Sequence, residues 1–199
     1  MDRTTRPLVI IAAFAGSLAI GLVLMLWALG GLRHVAAPAA IGGPFQLTDQ
    51  TGQTITEKNM QGHPTLIFFG FTHCPDVCPT DLQQMGLAVD RLGAAGDAVQ
   101  PIFITVDPER DTPEHLKDYV ASFHARFIGL TGDAPAIHEA ARVYRAYYAK
   151  VDLGDSDYTV DHSSFIYLMG RDGEYLGFFP PGTAADILVG TLRPLVAKR

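Results

Sequence analysis

The hydrophobic and polar positions fall into two regimes. From Pro7 to Leu32, "PLVIIAAFAGSLAIGLVLMLWALGGL", 26 residues pass without a charge. As a helix this run would extend roughly 39 Å, enough for a tilted membrane span. The apolar core of a cleavable signal peptide is shorter, so an uncleaved anchor is expected over 7–32. After it the apolar residues come in short, punctuated bursts. "TLIFFGF" (Thr65 to Phe71) and Ile102 to Val106 are continuous runs of strand length, as in strands buried on both faces. Leu82, Met85, Val89 and Leu92 recur at helical spacing, which predicts a helix ending near Leu92.

The remaining elements follow from the same reading. "DQTGQ" is a turn between Phe45–Thr48 and Thr54–Glu57, giving a short hairpin. "DTPEHLKDYVASF" opens a helix with Thr112 as N-cap and Pro113 in the first helical position. "RFIGLTG" is a short strand and "DAPAIHEAARVYRAYY" a helix. Ala149 to Asp161 shows no apolar period and reads as irregular. "SSFIYLM" and "EYLGFF" flank "GRDG", a hairpin signal, and a helix from about Thr183 to Val196 closes the chain. The order βαβ, helix, ββα, with extra strands in front, is that of an α/β thioredoxin-like fold.

This divides the chain into an N-terminus (1–6), a transmembrane anchor (7–32), a Pro- and Gly-broken linker (33–43) and a domain (44–199). Arg3 and Arg6 precede the apolar run and Arg33 alone follows it, which places residues 1–6 in the cytoplasm and the domain outside. The first 34 residues hold three Arg and one Asp. Subtracting these from 15 basic and 21 acidic residues leaves 12 and 20, a net charge of −8 for the rest. A domain this acidic, without a basic cluster, is not built to bind nucleic acid.

Chemistry concentrates in "FGFTHCPDVCPTD". It holds both cysteines of the chain, Cys74 and Cys78, between a buried strand and a helix start. A helix N-terminus favours thiolate over thiol, and thiolate is both nucleophile and metal ligand. If the segment is helical, the spacing puts both sulfurs on one face with Cα atoms roughly 6 Å apart, at the long end of disulfide range. Two soft thiolates suit Cu(I) or Zn(II), given a third ligand.

Of the seven histidines, His34 lies in the linker and His63 at a strand entry; His115, His124 and His138 fall in helical patterns. His73 neighbours Cys74 but its side chain is expected to point elsewhere. His162 enters the strand "SSFIYLM", and in a thioredoxin-like fold that entry faces the cysteine turn. Ser163 stands at the position where ordinary thioredoxins place a cis-proline. His162 is therefore the expected third ligand.

Three segments, "FGFTHCPDVCPTDL", "ITVDPERDTPEHLKDY" and "VDHSSFIYLMGRDGEYLGFF", together with the N-terminal run, resemble the Sco/SenC family of membrane-tethered copper-binding proteins. The resemblance covers about Pro44 to Val196. It implies copper, as Cu(I) and secondarily Cu(II), held by Cys74, Cys78 and His162. It implies a metallochaperone that serves the dinuclear Cu-A centre of cytochrome c oxidase subunit II and is fed by a copper donor chaperone. The family's paired aspartates match Asp107 and Asp111, which are expected to support the site or dock a partner; turn and cap chemistry is their alternative. The implied location is the inner (cytoplasmic) membrane with the domain in the periplasm, or the mitochondrial inner membrane in a eukaryote.

The rival reading is a thiol–disulfide oxidoreductase that uses Cys74 and Cys78 catalytically, on the acceptor's cysteines or in redox signalling, and does not need His162. A peroxidase needs Pro-x-x-x-Thr-x-x-Cys. Counting back from Cys78 gives Pro75 and Phe71, and from Cys74 gives Phe71 and Ile67, so that motif is absent.

Overall fold

The computed structural model describes residues 16–27, 41–154 and 157–197. The chain separates into two units, Met1–Ala39 and Ala40–Arg199. Within the first, residues 16–27 form a helix (α1) whose apolar side chains, Leu18 and Trp27 among them, are exposed. Among the described residues no helix is long and apolar enough to cross a membrane. The expected segments 1–6, 7–32 and 33–43 lie outside the described residues apart from 16–27 and 41–43.

The second unit is a seven-stranded mixed sheet with helices on both faces. Its elements are β1 (Gln46–Asp49), β2 (Thr54–Thr56), β3 (Thr65–Gly70), α2 (Val77–Arg91), β4 (Gln100–Thr105), α3 (Pro113–Ala121), β5 (Ile128–Thr131), α4 (Ala134–Tyr144), β6 (Tyr148–Gly154), β7 (Asp157–His162), β8 (Ile166–Met169), β9 (Tyr175–Phe179) and α5 (Ala185–Ala197). The strand order is β2-β1-β5-β4-β3-β8-β9. β3 runs parallel to β4 and antiparallel to β8, with Phe68 opposite both Phe103 and Ile166. The expected thioredoxin-like order is present, extended by β5 and by the β1–β2 hairpin on the far side of β4.

Every residue of β3 is buried, and its alternation builds two cores. Leu66 and Phe68 point to the face covered by α2, α3 and α5, against Leu82, Met85, Leu116 and Leu188. Ile67 and Phe69 point to the opposite face, against Ile137 and Tyr144 of α4. Burying each such side chain contributes about 1.5–3 kcal/mol, so the central strand is anchored from both sides. α3 starts as expected: Thr112 Oγ1 accepts from the His115 amide at 3.3 Å, and proline occupies the first turn.

One expectation is corrected, and one condition is not met. Most of Ala149 to Asp161 is strand: β6 and β7 form an antiparallel ladder that pairs Tyr148 with His162 and Val151 with Thr159, with a register shift between Asp152 and Gly154. Its strands are mostly half-exposed and polar, so no apolar alternation announced them. The helix after β3 begins only at Val77, so Cys74 lies in the turn before it and the two cysteines do not share a helical face. The peptide at Ser163 is trans, like every other described bond.

Candidate metal centre

The site is assembled from the turn after β3, the first turn of α2 and the end of β7. Cys74 is fixed by its backbone: its amide donates to the Phe71 carbonyl at 3.2 Å, and its Sγ accepts from the Cys78 amide at 3.5 Å. Cys78 is fully buried beneath it. Its sulfur occupies space that only a glycine in β3 leaves open, for a Cβ on Gly70 would sit 2.7 Å from Cys78 Sγ. His162 closes the trio, with Nε2 3.3 Å from Cys78 Sγ.

The histidine ring is held in a defined orientation. Nδ1 lies 3.2 Å from the Ser163 carbonyl oxygen, a contact that turns Nε2 toward the sulfurs. Phe68 and Phe71 pack edge-to-face on the imidazole, with ring centres 6.0 and 5.8 Å away. The three donor atoms all lie within 4.8 Å of one another, and this is the only such group of three among the described residues.

The two thiols are electrostatically unequal. A hydrogen bond from the Cys78 thiol brings Cys74 down to about 3 against burial, with His162 and the Cys78 and Asp76 amides assisting. The same bond, together with burial and the nearby Cys74 charge, pushes Cys78 well above its ordinary value of 9.0. The reduced pair thus holds one thiolate, on the partly exposed Cys74, and one proton, on the buried Cys78.

The two aspartates expected to support the site or dock a partner have separate partners in the structure. Asp111 is fully buried, and its carboxylate accepts from the Thr72 amide (3.0 Å), Thr72 Oγ1 (2.6 Å) and Thr105 Oγ1 (2.6 Å). It ties the cysteine turn to the end of β4. Asp107 accepts from Tyr158 Oη at 2.8 Å and from Arg110 Nε, and so reaches toward the strand that carries His162. Neither touches the donor trio.

The structure leaves His73 outside the trio: its Nδ1 meets Thr72 Oγ1 at 3.1 Å and its ring packs on His115. His124 pairs with Asp90, and His34 lies outside the described residues. Sequence reasoning missed Asp81, which is completely buried one turn after Cys78. One of its oxygens accepts from the Gly182 amide at 2.8 Å, while Oδ2 has no partner. Burial raises its pKa. A carboxylate in the same apolar stripe as Leu82 and Met85 was the available signal.

The donor set selects among ions. With metal–sulfur and metal–nitrogen bonds of about 2.3 and 2.0 Å, a trigonal ion needs donors roughly 3.7–4.0 Å apart. The trio is within about 1 Å of that arrangement. Structural zinc wants four ligands, whereas two thiolates and one imidazole satisfy a soft monovalent ion such as Cu(I).

A thioredoxin-like domain whose Cys-x-x-x-Cys turn faces a histidine defines a class, that of thioredoxin-like domains with a candidate soft-metal site. Residues 33–197 match the family model described as SCO1/SenC, and the chain belongs to that family. It is 47% identical over 154 residues to the Arabidopsis thaliana protein named "Protein SCO1 homolog 1, mitochondrial", covering 77% of this chain and 46% of the relative. The chain therefore spans about half the length of that relative. It matches the structure of Bradyrhizobium japonicum ScoI with copper bound at 48% identity and a TM-score of 0.74, over 78% of this chain and 99% of the other. A more distant match is BsSco, described as a member of the Sco family of cytochrome c oxidase assembly proteins and bearing a disulfide switch. It is 27% identical with a TM-score of 0.63, over 82% of this chain and 98% of the other.

Proposed function

We propose that this chain is a membrane-tethered copper metallochaperone of cytochrome c oxidase assembly. It receives copper from a donor chaperone and delivers it to the Cu-A centre of subunit II. The observation that carries the reading is the convergence of Cys74, Cys78 and His162 in one family member whose relative binds copper in its solved structure. Anchoring rests on the uncharged run 7–32, and places the domain outside the cytoplasm, in the periplasm or the equivalent mitochondrial space.

Three ligands leave a soft ion open to a fourth. The Cys74 thiolate is the more exposed donor and the natural point of exchange, so an acceptor thiolate can enter before Cys74 leaves. Cys78 and His162 hold the ion meanwhile. Loading copper requires Cys78 to give up the proton it shares with Cys74, and the entering cation offsets the burial and the nearby charge that hold that proton in place.

The second reading, reduction of the acceptor's cysteines, is favoured by the same asymmetry. The Cys74 thiolate would attack one sulfur of the acceptor disulfide, forming a mixed disulfide and expelling the other sulfur as thiolate. Cys78, after deprotonation, would attack Cys74 Sγ. This chain would end as a Cys74–Cys78 disulfide and the acceptor as a dithiol, two electrons richer. His162→Ala separates the readings: it should abolish tight copper binding and spare reduction. Full copper affinity in that variant would refute the three-ligand centre.

A further inference from the structure

The cysteines and the histidine belong to different parts of the sheet system. Cys74 and Cys78 follow the central strand β3, but His162 ends β7, which pairs only with β6 in a separate two-stranded ribbon. Among the described residues no ladder of backbone hydrogen bonds joins that ribbon to the seven-stranded sheet. The short link from His162 to Ile166 of β8, which pairs with β3, fixes where β7 ends, and side chains set how the ribbon is held about that point.

The loop between β4 and α3 provides them. Arg110 Nη1 donates to the Tyr158 carbonyl at 3.1 Å, and its guanidinium lies 3.8 Å from the centre of the Tyr158 ring. Tyr158 Oη returns a hydrogen bond to Asp107, which also binds Arg110 Nε. Lys150 Nζ sits 3.6 Å from the centre of the same ring and pairs with Glu109 at 2.8 Å. Arg110 also reaches the Phe71 ring, which packs on His162 and begins the cysteine turn. From the other end of this seven-residue loop, Asp111 grips that turn through Thr72. One loop thus holds both halves of the trio.

We propose that Arg110 and Tyr158 are positioning residues for His162: their stacked, hydrogen-bonded contact holds the β6–β7 ribbon at the distance where Nε2 and the two sulfurs close on one ion. The inference rests on the reading of the trio as a copper site. Neither residue touches the donor atoms; both act through the ribbon.

The test is a mutant cycle on the full chain in its reduced form, titrated with Cu(I) against a competing chelator. Arg110→Gln and Tyr158→Leu should each weaken binding about tenfold or more, as loss of an outer partner of a metal ligand does. The same changes in a His162→Ala background should cost less than about twofold, because the ligand they position is gone. Tyr158→Phe keeps the ring and loses only the Asp107 bond, so most of the affinity should remain. In the copper-free protein, Arg110→Gln should speed amide exchange over 157–162 and leave β3 unchanged. Should Arg110→Gln fail to fold, Tyr158→Leu carries the same comparison.

Wild-type affinity in Arg110→Gln or Tyr158→Leu overturns the proposal, as does an equal loss with and without His162. Unchanged affinity in His162→Ala alone overturns the three-ligand centre, and the positioning role with it.

Discussion

Gly70→Ala is the smallest change that reaches the centre through packing. In an ordinary strand, replacing glycine by alanine gains about 0.4–1 kcal/mol, because the unfolded chain loses freedom. Here the added methyl would lie 2.7 Å from Cys78 Sγ, 2.9 Å from Phe68 and 3.0 Å from Phe103. Ordinary contacts lie near 3.5–4.0 Å, so all three neighbours must retreat by roughly 1 Å. Cys78 and both phenylalanines are fully buried, so any retreat displaces the core packed around them. Overpacking of this kind costs about 1–3 kcal/mol and outweighs the entropic gain. The net expectation is destabilisation by about 1–2 kcal/mol, read as a lower urea midpoint at unchanged slope. Because Cys78 Sγ is one of the displaced atoms, Cu(I) affinity should fall about tenfold as well. Wild-type or higher stability with unchanged copper affinity would refute the argument that Gly70 makes room for the thiol.

Alkylation at pH 6 should modify Cys74 well before Cys78 in the reduced, copper-free protein, as read by peptide mass spectrometry; equal rates would remove the proposed asymmetry. Cys74 has a folded pKa below its ordinary 9.0, so its contribution to stability is complete only above that value. It should be lost as pH falls toward about 3, which Cys74→Ser unfolding curves across pH would detect. Asp111→Ala leaves the Thr72 amide and two threonine hydroxyls without their acceptor and should cost about 3 kcal/mol in chemical denaturation. Asp81 works with the opposite sign: burial raises its folded pKa, so its contribution worsens as pH rises above 3.8. Asp81→Asn keeps an acceptor for Gly182 and should match or exceed wild-type stability at pH 7, with the difference vanishing in acid.

Much of this was legible because the domain buries its central strand so completely. "TLIFFGF" and the Ile102–Val106 run could be little else than paired inner strands, and the thioredoxin-like order followed from them. That order, in turn, pointed to His162 across 84 residues of chain from Cys78. The β6–β7 ribbon escaped because its strands face solvent and bury only Val160, so they lack an apolar alternation. The start of α2 was left open, because helical spacing between Cys74 and Cys78 says nothing about Pro75 and Asp76, which precede the first helical residue, Val77. Asp107 and Asp111 were recognised as a pair, but their separate tasks depend on partners 51 and 39 residues away, Tyr158 and Thr72. No local pattern contains such a pairing. Asp81 was passed over for the reverse reason: its local surroundings are apolar, and the amide it accepts from lies 101 residues downstream.

The central claim is that Cys74, Cys78 and His162 together hold one copper ion. It is tested most directly by Cu(I) stoichiometry and affinity, measured by chelator competition on the reduced wild type and on Cys74→Ser, Cys78→Ser and His162→Ala. The account predicts one ion per wild-type chain and a loss of at least about a hundredfold in affinity for each variant. A variant that binds as tightly as the wild type would remove its residue from the centre, and unchanged binding in all three would contradict the claim outright.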